Sequence, residues 1–124
     1  MKTSELTGAA LDWAVGKATG LDVKIGMFGP LFRKGYKWAA VGAWRYTPSA
    51  DWAKGGPIIE REGISVQQFD GSSPAHKRWN AYIGSPPVRA IEEINGPTPL
   101  IAAMRCFVAM KLGDEVDVPK ELSQ

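Results

Sequence analysis

The chain has 124 residues, of which 44% are hydrophobic and 23% are charged. This length and composition are typical of one soluble globular domain over residues 1–124, and they exclude disordered, collagen-like and disulfide-rich chains. A net charge of +2 is too small to indicate a nucleic-acid-binding protein. Because Cys106 and His76 are the single cysteine and histidine, a disulfide framework and a Cys/His zinc cluster are excluded. We expect no metal and no cofactor.

Neither a secretory signal nor a membrane span is indicated by the sequence. The first eight residues, MKTSELTG, lack the apolar region of a signal peptide. The longest apolar run, Pro99–Val108, is interrupted by Arg105 and is far shorter than a membrane span. We therefore expect a soluble protein of a reducing compartment.

Helices are predicted at both ends of the chain. Apolar residues recur at helical spacing from Leu6, which predicts a helix over 7–19 that stops at Gly20. Near the C-terminus, Thr98 is placed to cap a helix that Pro99 opens and Gly113 ends. This second helix is apolar nearly all round, so it should be buried on several sides.

The middle of the chain predicts short strands and turns. One turn is expected at Gly29–Pro30, and the segment 88–94 fits no element clearly. The predicted strands are Val23–Met27, Tyr36–Val41, Trp44–Tyr46, Ile64–Phe69 and Trp79–Ile83, the last with its odd-numbered residues buried.

Two short helices are predicted between these strands. Ser49 is expected to cap the first, and Gly55-Gly56 should interrupt it after Lys54. Pro57 would then open the second, and Gly63 would end it. The whole pattern predicts the α+β class, with a small antiparallel sheet flanked by N- and C-terminal helices in an α-β-α sandwich-like arrangement.

Positive charge and aromatic rings are concentrated in one segment. No acidic residue occurs between Val23 and Ala50, whereas acidic residues crowd the last eleven positions. Cations can hold phosphates, and flat rings can stack on bases. The residues that we expect to bind such a ligand are Arg33, Arg45, Trp44, Tyr46 and Trp52.

For the tryptophan residues, filling the core is an alternative to binding a ligand. Core filling is the preferred interpretation for Trp13, Trp38 and Trp79, because large aromatic side chains are usually buried. For Trp44 and Trp52, which adjoin polar turns, core filling and binding both remain open.

No spacing in the sequence indicates a catalytic site. His76 lies in a polar loop beside two cations, Cys106 lies in an apolar helical stripe, and Glu60 and Glu62 would point to different sides of a helix. The helix start near Ser49 could receive an anion, but Asp51 would occupy the positive end itself. We expect no catalytic residues and no enzyme.

Three strings of the sequence resemble a known family. They are SELTGAALDWAV (4–15), YTPSADWAKGGPIIEREGI (46–64) and GPTPLIAAMRCFVAMKLGDEV (96–116), and they resemble the NinX-like family of small phage proteins. The layout is more distantly similar to phage α-β-α sandwich domains. The resemblance implies a phage accessory protein acting in the host bacterial cytoplasm, and it supplies no activity and no catalytic residues.

Three functions are compatible with these features. In the first, the protein is a counter-defence factor that sequesters a small phosphorylated nucleotide-like signal without turning it over. In the second, it binds nucleic acid during phage recombination or replication, which the weak net charge disfavours. In the third, it docks a host protein or its own copy. The first and third functions predict a homo-oligomer, since two chains around a symmetry axis readily complete a small site.

Overall fold

The computed structural model describes residues 1–20, 23–26, 29–34, 37–38, 47–68, 74–75, 78–84 and 94–120. The fold is α+β, with helices at both ends of the strand region, as the sequence predicted. A 3-10 turn, Thr3–Glu5, precedes the first helix. In chain order the elements are α1 (Gly8–Thr19), β1 (Val23–Gly26), β2 (Gly29–Lys34), β3 (Lys37–Trp38), α2 (Trp52–Glu62), β4 (Ile64–Gln68), β5 (Trp79–Ile83), β6 (Ile94–Gly96) and α3 (Pro99–Leu112).

The two terminal helices begin and end where the sequence predicted. Helix α1 ends at Gly20, whose φ of 82° lies in the left-handed region that favours glycine. At the start of α3, the Thr98 hydroxyl accepts a hydrogen bond from the Ile101 N–H at 3.1 Å, and Pro99 follows the cap. Gly113 ends α3, where its N–H donates to the Ala109 carbonyl.

Helix α3 lies at the centre of the hydrophobic core. It packs against α1, α2 and all three strands β4, β5 and β6. Its side chains Met104, Phe107 and Val108 have no exposed surface, and they cluster with Leu11 and Val15 of α1. The prediction that this helix is buried on several sides is therefore confirmed.

Helix α2 differs from the prediction of two short helices. It is one continuous helix from Trp52 to Glu62, and its cap is Asp51 rather than Ser49. A Cβ on Gly55 would lie 2.4 Å from the Pro48 carbonyl oxygen, so this glycine allows close packing and does not break the helix. The predicted end at Gly63 is confirmed, with a φ of 67°.

The described strands form two antiparallel sheets of three strands each, in the orders β1-β2-β3 and β4-β5-β6. Strand β5 confirms the prediction over Trp79–Ile83, and β4 confirms the prediction over Ile64–Phe69 as far as Gln68, since Phe69 lies outside the described residues. The turn predicted at Gly29–Pro30 is wrong, because both residues belong to β2 and Gly29 pairs with Gly26 of β1. The predicted strand Trp44–Tyr46 lies outside the described residues.

The expected burial of alternate residues in β5 is only partly correct. Ala81 is buried, but Ile83 is 39% exposed at the end of the ladder, and Asn80 is only 3% exposed. Asn80 satisfies its amide by donating from Nδ2 to the Ile94 carbonyl at 3.3 Å. Burial of this polar side chain is therefore compatible with its position in the sheet.

The two ends of the described chain are joined by backbone hydrogen bonds. The Met1 ammonium group donates to the Val116 carbonyl at 2.9 Å, and the Thr3 N–H donates to the Asp114 carbonyl at 2.7 Å. The Thr3 hydroxyl also donates to the Gly113 carbonyl at 2.6 Å. These contacts fix the first turn of the chain against the segment that follows α3.

Candidate functional site

The β2–β3 pair brings basic and aromatic positions together. Its register places Arg33 directly opposite Trp38 and Lys34 directly opposite Lys37. Each of these pairs therefore occupies one register position of the β2–β3 ladder. Both pairs lie in the segment that has no acidic residue.

The five residues predicted to bind a ligand fall into three groups. Arg33 lies on β2, at the register position just given. Trp52 is the first residue of α2. Trp44, Arg45 and Tyr46 lie outside the described residues, so the structure brings together Arg33 and Trp38 but leaves the relation between the other predicted residues open.

Trp52 is an exposed aromatic side chain. Its exposed fraction is 56%, which excludes core filling for this residue. A Cβ on Gly56 would lie 3.9 Å from Trp52 Cε3, an ordinary contact distance. The indole therefore rests beside the next turn of its own helix while more than half of the side chain faces solvent.

Trp13 and Trp79 pack against the core, as their preferred interpretation predicted. Both are half-buried. The Lys17 Nζ atom lies 5.8 Å from the centroid of the Trp13 ring, within the range of a cation–π interaction. Among the described residues, Trp13 and Trp79 pack against the core cluster, and Trp52 is not part of it.

The N-terminus of α2 is occupied by a carboxylate of the chain itself. Asp51 Oδ1 accepts from the Ala53 N–H at 2.9 Å, and Asp51 Oδ2 accepts from Lys54 Nζ at 2.8 Å. The hydrogen bond from Lys54, followed by that from Ala53, lowers the pKa of the Asp51 carboxyl group. The prediction that Asp51 itself occupies the positive end of this helix is therefore confirmed.

The loop that leads into α2 is held against α1. Asp12, which is 4% exposed, accepts a hydrogen bond from the Ser49 N–H at 2.8 Å. This contact fixes the backbone three residues after Tyr46. It anchors the C-terminal end of the basic and aromatic segment to the N-terminal helix.

Of the groups considered for catalysis, Cys106 and Glu62 lie in the described part of the chain, and the surroundings of both are structural. Cys106 is buried within α3, and burial raises the pKa of its thiol to about 11, which confirms the prediction of a buried cysteine. The pKa of the Glu62 carboxyl group is lowered, chiefly by its hydrogen bond from Arg61 Nε at 2.9 Å, with Lys111 Nζ 3.6 Å away. His76 lies outside the described residues.

The described part of the chain contains neither a candidate metal site nor a candidate membrane-spanning helix. There, no group of three or more His, Cys, Asp and Glu residues could hold a metal ion. None of the helices in that part combines the length and the apolar character needed to cross a bilayer.

Arg105 links three elements through its guanidinium group. Its Nε donates to the Leu6 carbonyl at 2.7 Å and its Nη1 donates to the Asn95 carbonyl at 2.8 Å. Burial lowers the pKa of this guanidinium. These contacts join α3 to β6 and to the segment that precedes α1.

Among the described residues, two polar side chains carry buried atoms for which no hydrogen-bond partner is found there. They are Arg78, through Nε, and Asn95, through Oδ1. Arg78 directly precedes β5 and Asn95 lies in β6. No sequence signal marks them, because an unpaired atom is a property of the folded environment.

The fold and these surfaces define a small α+β protein with a basic and aromatic hairpin. A comparison with protein-family models finds a match over residues 2–111 to the family described as Bacteriophage P22, NinX. The chain therefore belongs to the NinX family of bacteriophage proteins, and the resemblance found in the sequence is confirmed. No curated protein matches the chain.

Proposed function

We propose that this NinX-family protein binds a small phosphorylated nucleotide-like ligand without turning it over. In this role it sequesters a nucleotide-derived signal in the host bacterial cytoplasm and so counters host defence. The observation that carries the proposal is the register of β2 and β3, which places Arg33 opposite Trp38 within a segment free of acidic residues.

The Arg33–Trp38 pair supplies the two groups that a nucleotide needs. A guanidinium group can bind a phosphate with two parallel hydrogen bonds, and an indole offers a flat surface for a base. In the proposal, Trp38 takes this role instead of filling the core.

The Lys34–Lys37 pair supports an anionic ligand for a different reason. Like charges directly opposite each other in a ladder are unfavourable, and the segment contains no carboxylate to offset them. A bound phosphate would relieve this repulsion. The ligand-binding set of the proposal is Arg33, Arg45, Trp44, Tyr46 and Trp52, together with Trp38.

A homo-oligomer is part of the proposal. The exposed Trp52 belongs to a residue type that is enriched at protein interfaces. Two copies around a two-fold axis would each present the same basic hairpin, so that one site could draw residues from both chains. Size measurement by sedimentation with and without ligand tests this part.

The experiment for the proposal is a ligand screen by thermal shift and tryptophan fluorescence. The panel contains linear and cyclic nucleotides, NAD derivatives and short DNA. A ligand that binds only the folded protein stabilises it by about 2.7 kcal/mol at a hundredfold excess over Kd, so we expect a rise in Tm with a nucleotide. If no nucleotide raises the Tm or changes the fluorescence, the proposal is wrong.

The same screen separates the two alternative functions. A nucleic-acid-binding protein should lose several orders of magnitude in affinity for DNA between low and moderate salt. A small ligand that forms one or two phosphate contacts should show a much weaker salt dependence. Absence of any response across the panel would instead favour docking of a host protein.

A further inference from the structure

Strand β4 forms an edge of the β4-β5-β6 sheet. Among the strands that the structure describes, β5 is its single neighbour. In the described part of the chain, no further backbone hydrogen bond involves residues 64–68. The side chains of Gln67 and Gln68 at the end of the strand are exposed. One side of β4 therefore presents N–H and carbonyl groups that another strand could pair with.

The sequence of β4 lacks the features that usually keep other strands away from an edge. Natural edge strands tend to carry a charged residue, a proline or a β-bulge. The five residues of β4, ISVQQ, include no charged residue and no proline. Their pairing with β5 is regular from Ile64 opposite Ile83 to Gln68 opposite Trp79. A regular and uncharged edge of this kind is suited to the addition of a strand.

Strand β4 is also complementary to itself in the antiparallel direction. A two-fold axis through Val66 would place Val66 opposite the partner's Val66, and Ser65 opposite the partner's Gln67. Ile64 would then lie opposite the partner's Gln68. Because none of the five side chains is charged, no like charges meet in this register. The edge therefore fits a second copy of the same strand.

Helix α2 would enlarge such a contact beyond the two strands. It leads into β4 through Gly63 and packs against both β4 and α3, so it lies on the β4 side of the sheet. A two-fold axis at β4 would bring the α2 helices of both copies towards each other on one face. This matters because a stable interface buries about 1,200–2,000 Å², more than a pair of five-residue strands supplies.

We propose that β4 pairs in antiparallel fashion with β4 of a second copy, so that two three-stranded sheets form one continuous sheet of six strands. The choice of a second copy rests on the self-complementary register and on the homo-oligomer of the proposed function. The pairing itself requires no ligand, so it can be tested on the free protein.

Sedimentation over a range of concentrations tests the pairing, and two double variants test its register. In Ser65→Lys with Gln67→Lys, lysines face each other across the axis, so we expect dimerisation to weaken at least tenfold. In Ser65→Lys with Gln67→Glu, each lysine faces a glutamate, and the dimer should be at least as stable as that of the natural protein. The two variants differ at one side chain, and circular dichroism verifies that both are folded.

Hydrogen exchange provides a second readout that needs no substitution. The N–H groups on the open side of β4 exchange with solvent in a single chain and are protected by pairing in a dimer. We expect their exchange to slow as the concentration of the natural protein rises. Exchange of the amides within α3 should not depend on concentration, because their hydrogen bonds lie within one chain.

Three results would overturn this inference. They are sedimentation of the natural protein as a single chain at every concentration, equal self-association of the two folded double variants, and exchange of the β4 amides at a rate independent of concentration. The nucleotide screen by thermal shift tests the proposed function separately. A protein that dimerises as described but responds to no nucleotide would keep this inference and refute the proposed function. A single chain that binds a nucleotide would do the reverse, apart from the homo-oligomer.

Discussion

The buried carboxylate of Asp12 accepts a hydrogen bond from the backbone N–H of Ser49, with 2.8 Å between Oδ1 and the nitrogen. The two residues are 37 positions apart, so the contact joins α1 to the loop that enters α2. This loop includes the C-terminal end of the basic and aromatic segment, which runs from Val23 to Ala50. One hydrogen bond thus connects the core helix to the end of the proposed binding region.

The first prediction concerns this contact. Asp12→Ala should lower the free energy of unfolding by at least about 1–3 kcal/mol, because it leaves the buried Ser49 N–H without an acceptor. Asp12→Asn retains an oxygen at the same position and should lose less. Urea unfolding of the three proteins provides the comparison, and equal stability of Asp12→Ala and the natural protein would contradict it.

The second prediction compares two neighbouring glycines in α2. Gly56→Ala should stabilise the protein by about 0.5–1 kcal/mol, since the site is open and alanine favours helix. Gly55→Ala should be destabilising by about 1–3 kcal/mol, because its Cβ would lie 2.6 Å from Leu100 Cδ2 as well as 2.4 Å from the Pro48 carbonyl oxygen. Thermal or urea unfolding measures both changes. A stabilising Gly55→Ala would show that the packing around Pro48 is looser than described.

The third prediction concerns the thiol of Cys106, whose pKa is raised from about 9 to about 11 by burial. At pH 8 the two-unit rise alone should slow native alkylation about a hundredfold relative to an ordinary thiol, and burial should slow it further. Labelling before and after denaturation, followed by mass spectrometry, measures the difference. Equally rapid labelling of the native protein would place Cys106 at the surface.

The same pKa shift predicts the sign of a pH effect on stability. Between about pH 9 and 11 the unfolded chain releases the thiol proton while the folded protein retains it. The unfolded state then binds fewer protons, so the contribution of Cys106 makes stability fall as pH rises through this range. Cys106→Ala should remove this part of the alkaline loss.

The fourth prediction tests the central position of α3. Met104→Asp or Phe107→Asp should prevent folding, because an unpaired buried charge costs several kcal/mol against a total stability of about 5–15 kcal/mol. Met110→Asp is the matched control, since Met110 is on the same helix but 44% exposed. Circular dichroism and solubility should separate the control from the two core variants. A folded Phe107→Asp protein would contradict the description of the core.

The sequence correctly predicted the helix ends that are marked by a capping residue or a glycine at the end itself. The caps Thr98 and Gly113 and the stop at Gly20 are chemical requirements of helix ends, and they can be recognised without knowledge of the fold. The glycines of α2 were misinterpreted because Gly55 serves a contact with Pro48, which is visible only after folding. Helix propensity alone made that pair look like an interruption.

The candidate site was predictable only in part for a similar reason. Composition identified the basic and aromatic segment, but the pairing of Arg33 with Trp38 depends on strand register. The prediction of a turn at Gly29–Pro30 also failed, because both residues pair with β1 within strand β2. The unpaired atoms of Arg78 and Asn95 depend on tertiary surroundings and leave no trace in the sequence.

The measurement that tests the central claim most directly is titration of the protein with the nucleotide that gives the largest thermal shift. It is followed by recovery of the ligand after heat denaturation. Arg33→Ala or Trp44→Ala should weaken binding about ten- to a hundredfold with little change in Tm, because a phosphate contact or a stacked base contributes about 1–3 kcal/mol. Arg61→Ala, a change at an exposed arginine outside the hairpin, should bind normally. We expect the nucleotide to be recovered chemically intact, whereas recovery of a cleaved nucleotide, or equal binding by all variants, would contradict the proposed sequestration.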